Sequence, residues 1–162
     1  MAEEMAFVAL GSNLGDSRQI VRQALAALQE LTDKALLVSS LWETAPVDCP
    51  PGSPRFINAV VGLQPRPEET PASLLAQLQA LEKKFGRQPK TIPNEPRPLD
   101  LDLLAFGSRE IQVAGLVLPH PRAHLRRFVL QPWSEIAPEF IVPGTGASVA
   151  ALLKGLGGEG DG

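Results

Sequence analysis

Hydrophobic and polar positions along this chain follow two rhythms, one with the period of a strand and one with that of a helix. Ala6-Phe7-Val8-Ala9-Leu10 is a short unbroken apolar run closed by Gly11, which predicts a buried strand over 6–10. Ile20, Val21, Ala24, Leu25 and Leu28 then recur at helical spacing. They predict a helix reaching residue 31, begun by Asn13 or Asp16, whose side chains can accept from the first free amides. Residues 36–42 read as a second strand and 56–63 as a third. Between them, 46–55 carries Pro46, Pro50, Pro51, Gly52 and Pro54, which forbid regular structure. Leu74, Leu75, Leu78, Leu81 and Phe85 form the stripe of a second helix, begun by Thr70 or Ser73 and ended by Gly86. A second proline-rich stretch over 86–98 precedes a strand over 97–104, a small hairpin over 106–118 and a third helix over 125–136.

The order β-α-β-β-α-β predicts an α+β, ferredoxin-like core: a mainly antiparallel sheet with helices on one face, followed by a C-terminal extension. Residues 1–154 are expected to form one domain and 155–162 a flexible glycine-rich tail. The tail formally matches G-x-G-x-x-G, but it neither follows a strand nor opens a helix, so it is no dinucleotide fingerprint. Irregular stretches as long as 46–55 and 86–98 are expected to act as lids.

The strand over 97–104, Arg97-Pro98-Leu99-Asp100-Leu101-Asp102-Leu103-Leu104, carries the chemistry. Alternation puts the leucines on one face and Asp100 and Asp102 on the other, about 7 Å apart along the strand. Two adjacent anions want a cation, and a hard ion such as Mg²⁺ takes carboxylates together with substrate phosphates. An isolated D-x-D would read as a solvated strand face. Here it co-occurs with Arg87, Arg97, Arg126 and Arg127, and with His120 fixed between Pro119 and Pro121. Carboxylates, arginines and a histidine beside rigid loops are what phosphoryl transfer needs. Asn58 shares a strand face with Phe56 and Val60, where an amide beside a ring can read the edge of a flat heterocycle. His120 and His124 are four apart, but Pro121 disfavours a helix there and no H-E-x-x-H glutamate is present, so a zinc pair is not expected.

Composition narrows the class further. The 162 residues are 44% hydrophobic, enough for one core, and the net charge of −3 argues against a general nucleic-acid partner. Cys49 is the single cysteine, which excludes a disulfide framework and a cysteine-based metal site. The acidic start, Met1-Ala2-Glu3-Glu4-Met5, is unlike a secretory signal, and no apolar run suits a membrane span. A cytoplasmic protein without membrane or nucleic-acid partners is expected.

Taken together, the motifs resemble the 6-hydroxymethyl-7,8-dihydropterin pyrophosphokinase family of folate biosynthesis. The resemblance rests on Ala9-Leu10-Gly11-Ser12-Asn13-Leu14-Gly15, Glu43-Thr44-Ala45-Pro46, Phe56-Ile57-Asn58-Ala59 and the Asp100/Asp102 signature. It continues through Leu118-Pro119-His120-Pro121-Arg122 and Phe128-Val129-Leu130-Gln131-Pro132, in family order over about residues 6–143. The family implies pyrophosphate transfer from ATP to the pterin's hydroxymethyl oxygen, with AMP released. By position, Asp100 and Asp102 resemble the ligands of two Mg²⁺ ions. Phe56 and Phe128 look like the pair that sandwiches the pterin, with Asn58, Asp100, Thr44 and Val47 at its edge. Gln79, Glu82, Leu103 and His120 resemble ATP contacts, and Arg87 and Arg97 the cations on its phosphates. Better-known members carry an arginine and a tryptophan where this chain has Pro89 and Asn94. Lys90 supplies a nearby charge without the arginine fork. A palm-like nucleotidyl transferase or cyclase, and a ferredoxin-like small-molecule-binding module, are the alternative expectations.

Overall fold

The computed structural model describes residues 4–44, 52, 54–86 and 98–156. Strands β1 (Ala6–Ser12), β2 (Leu37–Val38), β3 (Trp42–Thr44), β4 (Phe56–Leu63) and β5 (Asp100–Phe106) form one sheet. Its order is β2-β4-β1-β5, with β3 also on β4 beyond β2, and every pairing is antiparallel. Helices α1 (Ser17–Gln29) and α2 (Pro71–Lys84) separate the strands in sequence. A hairpin of β6 (Ile111–Val113) and β7 (Leu116–Leu118) follows. Then come a 3₁₀ turn (Ala123–Leu125), α3 (Arg127–Ile136), the short pair β8 (Ile141–Val142) and β9 (Ala147–Ser148), and α4 (Val149–Gly155).

Local chemistry sets these boundaries. Asp16 caps α1, accepting from the Gln19 amide at 3.4 Å, so Asn13 is left for another task. Thr70 caps α2 in a reciprocal arrangement with Ser73, and Pro71 occupies the first turn where its missing N–H costs nothing. The predicted strand over 36–42 is broken in two. Ser39 spends both its amide and its hydroxyl on Val60 (N to carbonyl 3.0 Å, Val60 amide to Oγ 2.9 Å), and such side-chain bonds compete with a regular ladder. Gly11 does not end the first strand; β1 runs on to Ser12.

Two cores sandwich the sheet. Val8, Leu10, Ile57, Val61, Leu101 and Leu103 face α1 and α2, which contribute Val21, Leu28, Leu74 and Leu78. Phe7, Val60, Leu104 and Ala105 face the opposite side, covered by Val129, Leu130 and Trp133 of α3 and by Val149 of α4. The expectation of helices on one face thus holds for α1 and α2, while the C-terminal extension roofs the other face. Trp133 is fully buried, its ring 5.4 Å from Phe7 and 5.8 Å from Phe140. Truncating such a residue typically costs about 3–5 kcal/mol, so this contact is what attaches α3 to the sheet.

Candidate active site

The site begins with a row of residues across the sheet. Trp42 pairs with Asn58, Asn58 with Gly11, and Gly11 with Asp100. One row along, Val60 pairs with Ala9 and Ala9 with Asp102. Register alone therefore puts Asn58 and the acidic pair on the α3 side of the sheet, Asn58 and Asp100 two interstrand spacings apart, or about 9–10 Å. Between them lies Gly11. A Cβ built there would stand 3.2 Å from Asn58 Oδ1 and 3.6 Å from the Phe56 ring. The sequence reads this glycine as a strand terminator and as part of the Ala9–Gly15 stretch, without a role of its own. The available signal was a glycine beside a strand, which often marks close approach of another group.

Asn58 is buried and oriented. Its amide nitrogen donates to Thr44 Oγ1 at 2.5 Å, and Thr44 lies opposite Phe56 in the β3–β4 register. Asn13, also buried, donates to the Pro54 carbonyl at 3.3 Å and so ties the exit of β1 to the approach to Phe56. Thr44, Phe56 and Asn58 are thus gathered at one end of the sheet. Val47 lies outside the described residues, as do Arg87, Pro89, Lys90, Asn94 and Arg97.

On the other flank, β5 is an edge strand among the described residues, and two features organise it. Glu82 of α2 accepts from the Leu101 amide at 2.7 Å, on the edge away from β1. By alternation the main chain of Leu103 faces that same open edge, while its side chain is buried in the first core. Any contact from Leu103 to a ligand is a main-chain contact. Gln79 is exposed on α2. Further along, the register shifts opposite Phe7 and Val8, so that Leu104 and Ala105 both turn toward the second core. The Leu104 carbonyl accepts from the His120 amide at 2.9 Å, which anchors the histidine beside the acidic strand.

His120 lies near Arg126, Arg122 and Asp100. Its pKa is lowered, first by burial and then by the two arginines, against an opposing pull from Asp100. The ring is therefore neutral at neutral pH. Its Nδ1 accepts from the Arg122 amide at 3.2 Å, which leaves the ring proton on Nε2 as a donor. Arg126 is half-buried, its guanidinium 5.5 Å above the Phe128 ring and within electrostatic reach of Asp102 and Asp100. Phe128, Arg126, His120 and the acidic pair are brought together, although sequence reasoning assigned Arg126 no role of its own. His124 sits apart from this group, in the 3₁₀ turn.

The donor set suits a hard cation held jointly with a ligand. Among the described residues no cluster of three or more histidine, cysteine, aspartate or glutamate side chains forms a metal cage. Two carboxylates on one face match Mg²⁺, which keeps waters and shares its shell with phosphate oxygens. An anionic group beside Asp100 and Asp102 needs that cation between them, with the His120 ring and the Arg126 guanidinium as nearby donors.

Comparison with known proteins finds relatives along most of the chain. Residues 7–138 match the family described as 7,8-dihydro-6-hydroxymethylpterin-pyrophosphokinase (HPPK). The chain is 37% identical over 149 residues to a Synechocystis protein named 2-amino-4-hydroxy-6-hydroxymethyldihydropteridine pyrophosphokinase, covering 92% of this chain and 74% of that protein. It is 36% identical over 151 residues to the folic acid synthesis protein fol1 of Pneumocystis carinii, covering 93% of this chain but 20% of that much longer one. A solved HPPK-DHPS in complex with substrates shares the fold, with a TM-score of 0.72 and 13% identity, over 96% of this chain and 45% of that one. Among the described residues no helix is long and apolar enough to cross a membrane.

Proposed function

The chain belongs to the 7,8-dihydro-6-hydroxymethylpterin-pyrophosphokinase family, and from that premise we propose that it transfers pyrophosphate from ATP to 6-hydroxymethyl-7,8-dihydropterin. The hydroxymethyl oxygen attacks the β-phosphorus in line, the bond between that phosphorus and the α,β-bridging oxygen breaks, and AMP leaves. The row Asn58–Gly11–Asp100 carries this reading, because it sets an edge-reading amide and a phosphate-side carboxylate on one face. Phe56 and Phe128 supply the walls for the pterin ring. Asn58 and the main chain from Thr44 toward Val47 read its edge.

Glu82, Gln79 and the main chain of Leu103 line the nucleotide's side, along the open edge of β5. His120 Nε2–H donates to a phosphate oxygen, and the Arg126 guanidinium offsets phosphate charge, with Arg87 and Arg97 assigned the same task. Asp100 and Asp102 would hold two Mg²⁺ ions, which supply charge neutralisation on the phosphates and acidify the attacking hydroxyl. The chain's own groups orient the acceptor and the nucleotide; the lids expected over 46–55 and 86–98 fall for the most part outside the described residues.

The sheet order supports reading the core as the ferredoxin-like split βαβ, with β2 and β3 together standing as its second strand. We read residues 1–154 as a single domain and the protein as cytoplasmic. Incubation with ATP, Mg²⁺ and the reduced hydroxymethylpterin is the direct test, followed by quantifying AMP. AMP formed only when the pterin is present supports the assignment. No AMP at micromolar enzyme overturns it, and release of pyrophosphate in place of AMP points to a nucleotidyl transferase.

A further inference from the structure

At the edge of the sheet opposite the acidic strand, a further carboxylate ties a helix to the strand that carries Trp42. Glu135, on the last turn of α3, reaches the edge of the sheet where β2 breaks from β3. Its Oε1 accepts from the Ser40 amide at 3.0 Å and from the Trp42 indole Nε1–H at 2.9 Å. Its Oε2 accepts from the Ser40 hydroxyl at 2.9 Å. Three donors from one strand segment converge on one carboxylate of a helix, ninety-odd residues away in sequence.

What is tied at each end matters. Trp42 pairs directly with Asn58, and Thr44, two residues on, holds the Asn58 amide. At the other end, Glu135 stands seven residues beyond Phe128 on the same helix. Two turns bring both residues to one stripe, about 10 Å apart along the axis. The helix thus presents Phe128 to the ring site and Glu135 to the strand that orients Asn58. Trp133, buried between them, attaches α3 to the sheet, so Glu135 is not needed for the helix to dock.

We infer that Glu135 is a positioning residue for the pterin half of the site: by clamping Ser40 and Trp42 to α3, it fixes the gap between Phe128 and the Asn58–Thr44 edge. The inference rests on the pterin reading given above. It concerns acceptor recognition alone, because the nucleotide-side residues Glu82, Leu103 and His120 stand on β5 and its neighbours, away from β3.

The test is calorimetric titration of 6-hydroxymethylpterin, and separately of ATP with Mg²⁺, into the wild type, Glu135→Ala, Glu135→Gln, Trp42→Phe and the Glu135→Ala/Trp42→Phe double variant. Loss of the clamp should weaken pterin binding about tenfold in Glu135→Ala and less in Trp42→Phe, with the double variant no worse than Glu135→Ala. Glutamine can keep Oε1 on Ser40 and Trp42 while the Ser40 hydroxyl turns to accept, so Glu135→Gln should stay within about threefold. ATP affinity should hold within about twofold throughout. Pterin affinity unchanged in Glu135→Ala overturns the inference, as do parallel losses for ATP or multiplying losses in the double variant. A wild type that binds ATP but no pterin removes the acceptor assignment itself, and the clamp's role with it.

Discussion

Replacing Gly11 by alanine separates a recognition role from a structural one. The added Cβ would lie 3.2 Å from Asn58 Oδ1 and 3.6–3.9 Å from two atoms of the Phe56 ring. The ring contacts are ordinary, whereas the contact to the amide oxygen asks for a shift of a few tenths of an ångström. Asn58 cannot swing away freely, because its nitrogen is held by Thr44 at 2.5 Å. For the fold, alanine recovers about 0.5–1 kcal/mol of strand-interior entropy that glycine forfeits. Adjusting Asn58 costs a similar amount, about 0.5–1.5 kcal/mol for an off-rotamer side chain. These terms nearly cancel, so the melting temperature should move by no more than about 4 °C. A ligand has no such compensation. The methyl group lies against the Phe56 ring that would stack on the pterin and displaces the amide edge that would read it. Losing that paired contact costs about 1–3 kcal/mol, or roughly 5–150-fold in affinity. Titration of 6-hydroxymethylpterin and a thermal melt on the same preparation decide the matter. Pterin affinity within twofold of the wild type, with the melt unchanged, would refute the assignment of Asn58 and Phe56 as the pterin's contacts.

Three further outcomes follow from the site and its supports. Asp100→Ala and Asp102→Ala should each lower AMP formation by about 10³-fold or more while the protein still melts cooperatively; near-normal turnover in either removes the two-ion assignment. Glu82→Ala strips the acceptor from the Leu101 amide on the sheet edge (2.7 Å). That should cost about 1–2 kcal/mol, read as a drop of about 2–8 °C in the melting temperature, and an unshifted melt would deny Glu82 its edge-holding part. The pKa of Glu135 is lowered from the ordinary 4.5: burial works to raise it, and the hydrogen bonds from Trp42 and Ser40 outweigh that. A carboxyl whose folded pKa is depressed stabilises the fold above its unfolded pKa and loses that contribution as pH falls through the folded value. The melting difference between wild type and Glu135→Ala should therefore be full at pH 6–7 and shrink below about pH 4. A difference that grows on acidification contradicts the clamp's electrostatics.

Much of this was legible in the chain because period and register are local facts. Strand alternation placed Asp100 with Asp102 and Phe56 with Asn58, and the helix stripes and caps of α1 and α2 fell within two residues of their observed ends. What could not be read was set by contacts distant in sequence. No pattern in 36–42 announces that Ser39 will bond Val60 and split the strand. The bulge that turns Leu104 toward His120 depends on β1, nearly a hundred residues earlier. Arg126 is one of four arginines that the sequence counts toward phosphoryl transfer, and only α3 singles it out, by laying its guanidinium over Phe128 beside the acidic pair. Glu135 gave no signal at all, because its partners, Ser40 and Trp42, are some ninety residues away.

The candidate site has a simple origin in β1. Phe7, Ala9 and Gly11 share the face that looks toward α3, and their side chains shrink in that order. At the wide end Phe7 meets Trp133 and Phe140, with ring centroids at 5.4 and 4.8 Å, and this stack sets how closely the helix can approach the sheet. Ala9 lies between Val60 and Asp102 and Gly11 between Asn58 and Asp100, so the smallest residues of the strand stand beside the polar groups. At Gly11 the missing Cβ lets the Asn58 amide oxygen and the Phe56 ring come close to the strand, which is what the acceptor half of the candidate site requires. The extension is indispensable to it: strands β1, β4 and β5 supply the floor, the amide and the acids, whereas Phe128, Arg126 and the anchored His120 come from residues beyond β5. A chain cut after β5 would keep the acidic pair and lose the wall and the phosphate-side cation, so it should neither bind pterin nor release AMP.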